Sequence, residues 1–396
     1  MRALVVRQDS FGDVLLAGPA ARAVARRADR VTVLCGPLGA PAARMLPGVD
    51  EVLVWEAPWV GFGPPPVDRA DVEQVVDRLA AARVDAALVL TSFHQSPLPA
   101  ALLLRLAGVP YIAADSVDAP GSLLDLRHRR APHAHEAQAA ADLAEAAGFP
   151  RPPGDDGLLR VRHAPDGARG LTGPGRYVVV HPGASVPARC WSPERCAQAV
   201  RLLAEAGHRV VVTGGPAERD LTAFVAGAHG LDLGGRTTPP VLASVLAAAD
   251  AAVAPNTGPA HLAAAVGTPV VSLFSPVVPA ERWAPYGVPH VLLGDQGAPC
   301  AGTRARTCPV PGHPCLDEVT AEDVAAAVGK LLEGSGAPAA PGTTPAPGAP
   351  APRADGPPAP GSPAARAVGS PGRAAGAGAP RPSGHGRGAG VGGDGG

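Results

Sequence analysis

Twice along this chain, short β-branched runs alternate with segments rich in Ala, Leu and Arg at helical period, and that alternation admits few folds. Strands joined through crossover helices pair in parallel. In the first pass Arg2 to Arg7, Arg30 to Cys35, Glu51 to Trp55 and Asp85 to Thr91 read as strands, with helices at Val14 to Arg27, Asp68 to Ala82, Leu98 to Ala107 and His135 to Gly148. The second pass places strands at Arg176 to His181, Arg209 to Thr213, Leu231 to Leu233, Ala251 to Ala254 and Pro269 to Phe274. Its helices are expected at Pro193 to Ala206, Ala217 to Ala228, Pro239 to Ala248, Pro259 to Val266 and Thr320 to Leu332. The expected fold is therefore α/β, with two Rossmann-like doubly wound domains at 1–150 and 176–334, joined by a Pro-, Gly- and charge-rich linker at 151–175. Two such sheets face a cleft at the carboxyl ends of their strands, where open α/β sheets bind ligands.

The stretch 335–396 is almost wholly Ala, Pro, Gly, Ser and Arg, with too little apolar surface to offset chain entropy, so a disordered tail is expected there. Elsewhere the composition suits globular cores, since 46% of the 396 residues are hydrophobic. A formal charge of −1 leaves no broad positive field, which excludes nucleic acid, or an anionic membrane held by charge alone. The single lysine, Lys330, beside many Arg, Ala, Gly and Pro reflects G+C-rich coding. With no secretory signal and no apolar stretch near the roughly 20 residues a bilayer span needs, a cytoplasmic location is expected. Six cysteines are too sparse for a disulfide scaffold.

The most informative stretch runs from Ala254 to Phe274, a strand, a tight polar turn at Asn256-Thr257-Gly258-Pro259, a short helix carrying His261, and a second strand. Gly258 admits close backbone approach, and the free N–H groups of a first helical turn favour an anion such as a diphosphate. The same turn also reads as a capped βα connection with no ligand. The segment His181 to Trp191 holds Gly183 and Ser185 as donors and Arg189 as a cation for a leaving diphosphate, or else a Trp191 packing staple beside a solvated arginine. In Arg7 to Leu16, Asp13 follows the first strand. A carboxylate there can take a proton from an attacking hydroxyl, or can simply favour the helix dipole, with Gly12 permitting close approach. No Walker loop or GxGxxG opens either domain, which counts against ATPases and nicotinamide enzymes. Cys300, Cys308, His313 and Cys315 lack the paired spacing of a convincing zinc site, so no metal is expected. Arg127 to Arg130 reads as an anion patch or as a solvated face.

Taken in order, these motifs, with Val212 to Arg219 and Asp232 to Thr237, resemble glycosyltransferase family 9, the heptosyltransferases, over about 1–333. The cysteine cluster is similar to one in that family. The resemblance implies a GT-B fold and an inverting, metal-independent transfer, with Asp13 as general base and Arg189 as partner of the leaving group. It implies a nucleotide-diphosphate sugar as donor, such as ADP-heptose, with no cofactor. The donor-binding set would be Gly12, His181, Ser185, Glu218, Leu233, Asn256, Thr257, Gly258 and His261, with Glu218 at the ribose and Leu233 at the base. The acceptor would be a cell-envelope glycan or glycolipid at the inner membrane surface. Two residues depart from the family pattern: Arg189 stands where Lys is common, and Asn256 where Asp is common, which opens donor specificity. Other readings of the same architecture are a nucleotide-sugar epimerase and a non-catalytic sugar-nucleotide sensor.

Overall fold

The computed structural model describes residues 1–61, 63–164 and 166–334, so the expected tail at 335–396 lies outside the described residues. Twelve strands among them form two six-stranded parallel sheets. The first contains β1 (Arg2–Val6), β2 (Arg30–Cys35), β3 (Glu51–Val54), β4 (Ala86–Val89), β5 (Tyr111–Asp115) and β6 (Leu126–His128), in the order β3-β2-β1-β4-β5-β6. The second contains β7 (Val178–Val180), β8 (Val210–Val212), β9 (Gly230–Asp232), β10 (Ala251–Pro255), β11 (Val270–Leu273) and β12 (His290–Leu293), in the order β12-β11-β10-β7-β8-β9. Counted from the first strand of each half, both sheets have the same order, the doubly wound dinucleotide-fold order 3-2-1-4-5-6.

The strands are apolar on both faces because helices cover both. On β1, Ala3 and Val5 point into one apolar cluster and Leu4 and Val6 into another, as period-two geometry demands. On β7, Val179 joins the same cluster as Ala3 and Val5, while Val178 and Val180 face the opposite layer. The inner faces of the two sheets thus share one continuous core, running through the helices Gly18–Ala25, Pro239–Ala247 and Gly258–Ala265.

Most expected elements occur at the expected places. The helix expected over Val14 to Arg27 is instead two, Phe11–Leu16 and Gly18–Ala25, breaking at Ala17 because Pro19 has no N–H to continue the ladder. Three strands escape the sequence pattern, namely β5, β6 and β12. Tyr111–Asp115 is alanine-rich, Leu126–His128 carries two charged or polar residues in three, and His290–Leu293 is only partly buried. The connection at 151–175 is firmly tied down. Arg22 grips Asp155 through two hydrogen bonds of 2.7 and 2.9 Å, holding that carboxyl down to about 2, the Arg162 N–H donates to Met45 O, and the Ser244 hydroxyl donates to Ala164 O. No helix among the described residues is long and apolar enough to cross a membrane.

Candidate active site

In an open sheet of this order the chain reverses its direction of winding between strands 1 and 4, and the turns leaving those two strands flank a crevice. In the first sheet these are the turns after β1, carrying Asp9 and Asp13, and after β4, carrying Ser92 and Gln95. In the second they are the turns after β7, carrying His181 to Arg189, and after β10, carrying Asn256 to Gly258. The turns of Gly12 and Asp13, of His181 to Arg189 and of Asn256 to His261 leave three of these four strands, whereas Glu218, Leu233, Arg127 to Arg130 and the cysteine cluster lie elsewhere.

The turns after β1 and β10 touch. A methyl group added at Gly12 would stand 2.8 Å from His261 Cδ2 and 3.3 Å from Gly258 Cα, and one added at Gly258 would stand 2.9 Å from the Phe11 ring. A side chain at either position would press on the ring of His261 or Phe11, with the two glycine backbones close behind, so glycine suits both. Asp13 lies one residue on. Its carboxylate accepts from Arg7 Nη2 at 3.1 Å, from the Ser10 hydroxyl at 2.7 Å and from Trp283 Nε1 at 3.2 Å, the indole reaching over from the second half of the chain. Burial alone would raise the Asp13 pKa, but the Arg7 guanidinium, these hydrogen bonds and nearby His261 hold it below the usual carboxylate value. The group stays ionised, as a proton acceptor must.

Arg7 is the hub of a buried network that sequence reasoning missed. Its guanidinium pairs with Asp9 at 2.9 Å, Asp13 at 3.1 Å and Glu136 at 3.5 Å, and donates to Ser92 at 2.9 Å. Glu136 is shared with Arg130 at 2.9 Å, and Arg130 pairs in turn with Asp115 at 3.0 Å, whose other oxygen meets His128. The Arg127 to Arg130 cluster is therefore no simple anion patch. Arg127 donates to the carbonyls of Ser116 and Val117, and His128 and Arg130 serve the network, leaving Arg129 as its exposed member. Burial pushes the Asp9 carboxyl up to about 6 despite Arg7, whereas Asp13 on the same guanidinium is held down. One signal was legible beforehand: an arginine at the end of a buried strand must find carboxylates.

Across the contact, the second half presents donors with few partners. Arg189 donates one hydrogen bond, Nη1 to Asn256 O at 3.2 Å, while its buried Nε has none, and among the described residues no carboxylate lies within 4.0 Å. Burial lowers its pKa, against the pull of Asp13. His261 is buried with Nδ1 unpartnered, and burial, with His135 adding to it, pushes the ring down to about 4, so it is neutral near pH 7. The turn that carries Arg189 is gripped from behind by the cysteine loop, since the Ala188 N–H donates to Arg306 O at 2.9 Å and His313 Nε2 donates to Ala188 O at 3.1 Å. In that loop Cys300 and Cys315 are buried and Cys308 is half-buried, all three as free thiols, and no group of three or more His, Cys, Asp or Glu among the described residues is arranged to hold a metal.

Asn256 has a different place from the one its chemistry suggested. Its side-chain amide faces the backbone, donating to Ser275 O at 3.1 Å and accepting from Ser275 N at 3.3 Å, and so ties the turn after β10 to the end of β11. An aspartate could make only the second bond. Thr257 is the helix N-cap, in extended conformation, and Gly258, not Pro259, is the first helical residue. His181 pairs with Thr213 at 3.0 Å and stands 3.9 Å from Glu218, whose carboxylate also accepts from Gly215 N at 2.6 Å and packs on Gly183. Ser185 is exposed on the approach to Arg189. Leu233 does not line a base site with its side chain: it is fully buried in the shared core, because the strand end places it inward. Gly12, Asp13, Arg189, Asn256, Gly258 and His261 thus form one cluster, with His181, after β7, and Glu218, after β8, as a second pair.

Residues 72–313 match the profile of a family described as glycosyltransferase family 9 (heptosyltransferase). Lipopolysaccharide heptosyltransferase 3 of Escherichia coli is 32% identical over 168 residues, 40% of this chain and 48% of that one, so the match spans about half the relative's length. Lipopolysaccharide heptosyltransferase 1 of Pseudomonas aeruginosa is 29% identical over 340 residues, covering 78% of this chain and 87% of that one. Among solved structures, E. coli ADP-heptose lps heptosyltransferase II superposes with a TM-score of 0.65 at 20% identity, over 85% of this chain and 100% of the other. E. coli heptosyltransferase WaaC with ADP gives 0.61 at 19% identity, over 84% and 98%. These two structures share the GT-B arrangement of facing sheets seen here.

Proposed function

The chain belongs to glycosyltransferase family 9, and we propose on that footing that it is an inverting glycosyltransferase which moves a sugar from a nucleotide-diphosphate donor to a hydroxyl of a cell-envelope glycan or glycolipid. The observation that carries this reading is the contact of Gly12 with Gly258 and His261, which sets an ionised carboxylate beside the unpartnered Nδ1 of His261 and the turn to which Arg189 is bonded. In the proposed step the acceptor oxygen bonds to the anomeric carbon, the bond from that carbon to the diphosphate oxygen breaks, and the hydroxyl proton passes to Asp13. The charge left on the diphosphate falls to Arg189, to the first N–H groups of the helix Gly258–Ala265 and to His261, so the reading calls on no metal ion. His181 and Glu218 belong on the nucleotide side, Glu218 at the ribose. An adenosine-diphosphate heptose is the donor favoured by the relatives' names, and a cytoplasmic site of action, at the inner face of a membrane when the acceptor is a glycolipid, agrees with such a donor.

The test pairs binding with turnover. Nucleotide-diphosphate sugars are screened by thermal shift, where the true donor raises Tm by mass action, and transfer is then followed with a glycolipid extract of the source organism. Asp13→Asn should keep the donor shift and lose about two to four orders of magnitude in rate, as a missing general base does. An unchanged rate removes Asp13 from its role, and isomerised sugar formed from the donor alone would replace transfer by epimerisation.

A further inference from the structure

Asp13 is held from both halves of the chain, and unequally at its two oxygens. Among the described residues Oδ1 accepts two hydrogen bonds, from Arg7 Nη2 at 3.1 Å and from Trp283 Nε1 at 3.2 Å, whereas Oδ2 accepts one, from the hydroxyl of the exposed Ser10 at 2.7 Å. Each carboxylate oxygen offers two lone pairs. Both on Oδ1 are taken, so the open acceptor position is on Oδ2, and with the side chain 20% exposed an incoming hydroxyl can reach it. Without the indole, Oδ1 would keep a lone pair of its own free and either oxygen could meet that hydroxyl.

The indole itself has little freedom. Trp283 ends the short helix Ala280–Trp283, and its ring lies against Phe93 of the turn after β4, with centroids 5.9 Å apart and planes at 58°. The neighbouring Arg282 guanidinium sits over the same Phe93 ring, 4.4 Å from its centroid, and Glu281 pairs with His133 at 2.6 Å. A ring braced in this way delivers its N–H in one direction at small entropic cost. Resting on the transfer reading above, we propose that Trp283 is a positioning residue for that reaction: by filling the second lone pair of Oδ1 it fixes the carboxylate plane and leaves Oδ2 as the oxygen that takes the acceptor's proton. The acceptor O–H bond breaks as the Oδ2–H bond forms, its electron pair passes to the new bond with the anomeric carbon, and Trp283 keeps its own proton throughout.

Trp283→Phe keeps a ring against Phe93 and removes the N–H. With the donor found by thermal shift, and a glycolipid extract of the source organism as acceptor, its kcat should fall about tenfold, a loss of alignment rather than of the base, while the KM for the donor and the donor's thermal shift stay at the parent's values. In an Asp13→Asn background the same change should cost nothing further, because no base is left to align. An equal loss in both backgrounds marks a purely structural role and overturns the proposal, as does a full-rate Trp283→Phe. Ser10→Ala should cost less than Trp283→Phe, since it frees a lone pair on Oδ2 without releasing Oδ1; a larger cost would assign the proton to Oδ1 and overturn the proposal at that point. A further measurement needs no substrate. With the four tryptophans of the full chain isotope-labelled, the indole N–H signal that Trp283→Phe deletes should exchange with solvent more slowly in the parent than in Asp13→Ala, and equal exchange overturns the bond on which the proposal stands. A slow Asp13→Asn beside a full-rate Trp283→Phe removes this assignment alone, whereas a full-rate Asp13→Asn removes the base from the transfer reading itself.

Discussion

The turn after β1 and the turns after β7 and β10 occupy the same place in two sheets of the same strand order, yet they treat charge in opposite ways. Arg7 satisfies three carboxylates and a hydroxyl within the protein, so the first half holds Asp13 still and ionised. Arg189 Nε and His261 Nδ1 are buried nitrogen atoms with no partner. Buried polar groups without partners are costly, and a ligand bonded to these two would offset that cost. The first half is built to position a group of its own; the second is built to receive one.

Replacing the unpaired cation breaks this contrast most severely. Arg189→Met keeps most of the side-chain volume and removes no ion pair, so the fold should survive with its Tm nearly unchanged. Turnover should fall by about 10²–10³, the usual loss for one charge-stabilising donor, and a full-rate Met variant would show that Arg189 faces no developing charge. Asn256→Asp should act chiefly on structure. It deletes the bond to Ser275 O and sets a buried carboxylate against that carbonyl, for about 1–3 kcal/mol of lost stability in chemical denaturation, and an aspartate variant of equal stability would return this position to the substrate.

The smallest effect concerns protons. Asp9 is raised in the folded chain to about 6 from 3.8, so the folded state takes its proton more readily than the unfolded, and this contribution is fully present below pH 3.8 and lost as pH rises through 6. His261 and His135 are lowered to about 4 from 6.5 and run the other way, losing stability as pH falls through 4, so the whole-protein curve mixes both signs. The difference between Asp9→Asn and the parent isolates the carboxyl. Between pH 4 and 6.5 the variant should gain on the parent by about 2 kcal/mol, less than the full shift because Asp9 and Asp13 titrate together. A flat difference would mean that Asp9 is not buried against its neighbours as described.

How much was legible beforehand follows from the range of each interaction. The strand-and-helix rhythm is local, and most elements, both central strands and every turn of the site stand where period and turn residues put them. Local pattern also singled out Gly12, Asp13, Arg189, Gly258 and His261, because glycine and a charged residue after a buried strand are unusual enough to need a reason. What escaped was long-range. Glu136 reaches Arg7 from 129 residues away and Trp283 reaches Asp13 from 270 away, and no window along the chain pairs them. Leu233 was misread because a residue at a strand end near a ligand turn points either way, and period alone does not say which. The amide of Asn256 was misjudged for a related reason, since its partner, Ser275, lies one strand further along the chain.

The Trp283 indole gives the Asp13 carboxylate a dependence on its surroundings beyond its own half of the chain. It is a hydrogen-bond donor to Asp13 carried on the segment that also joins the halves through His135 Nε2 to Ala284 O and Tyr286 to Gln138. Because that bond helps to keep Asp13 ionised, losing it would make the carboxylate easier to protonate, and protonating the carboxylate would weaken this tie between the halves by the same free energy. Readiness to accept a proton and the fit of one half against the other are thus two readings of a single equilibrium.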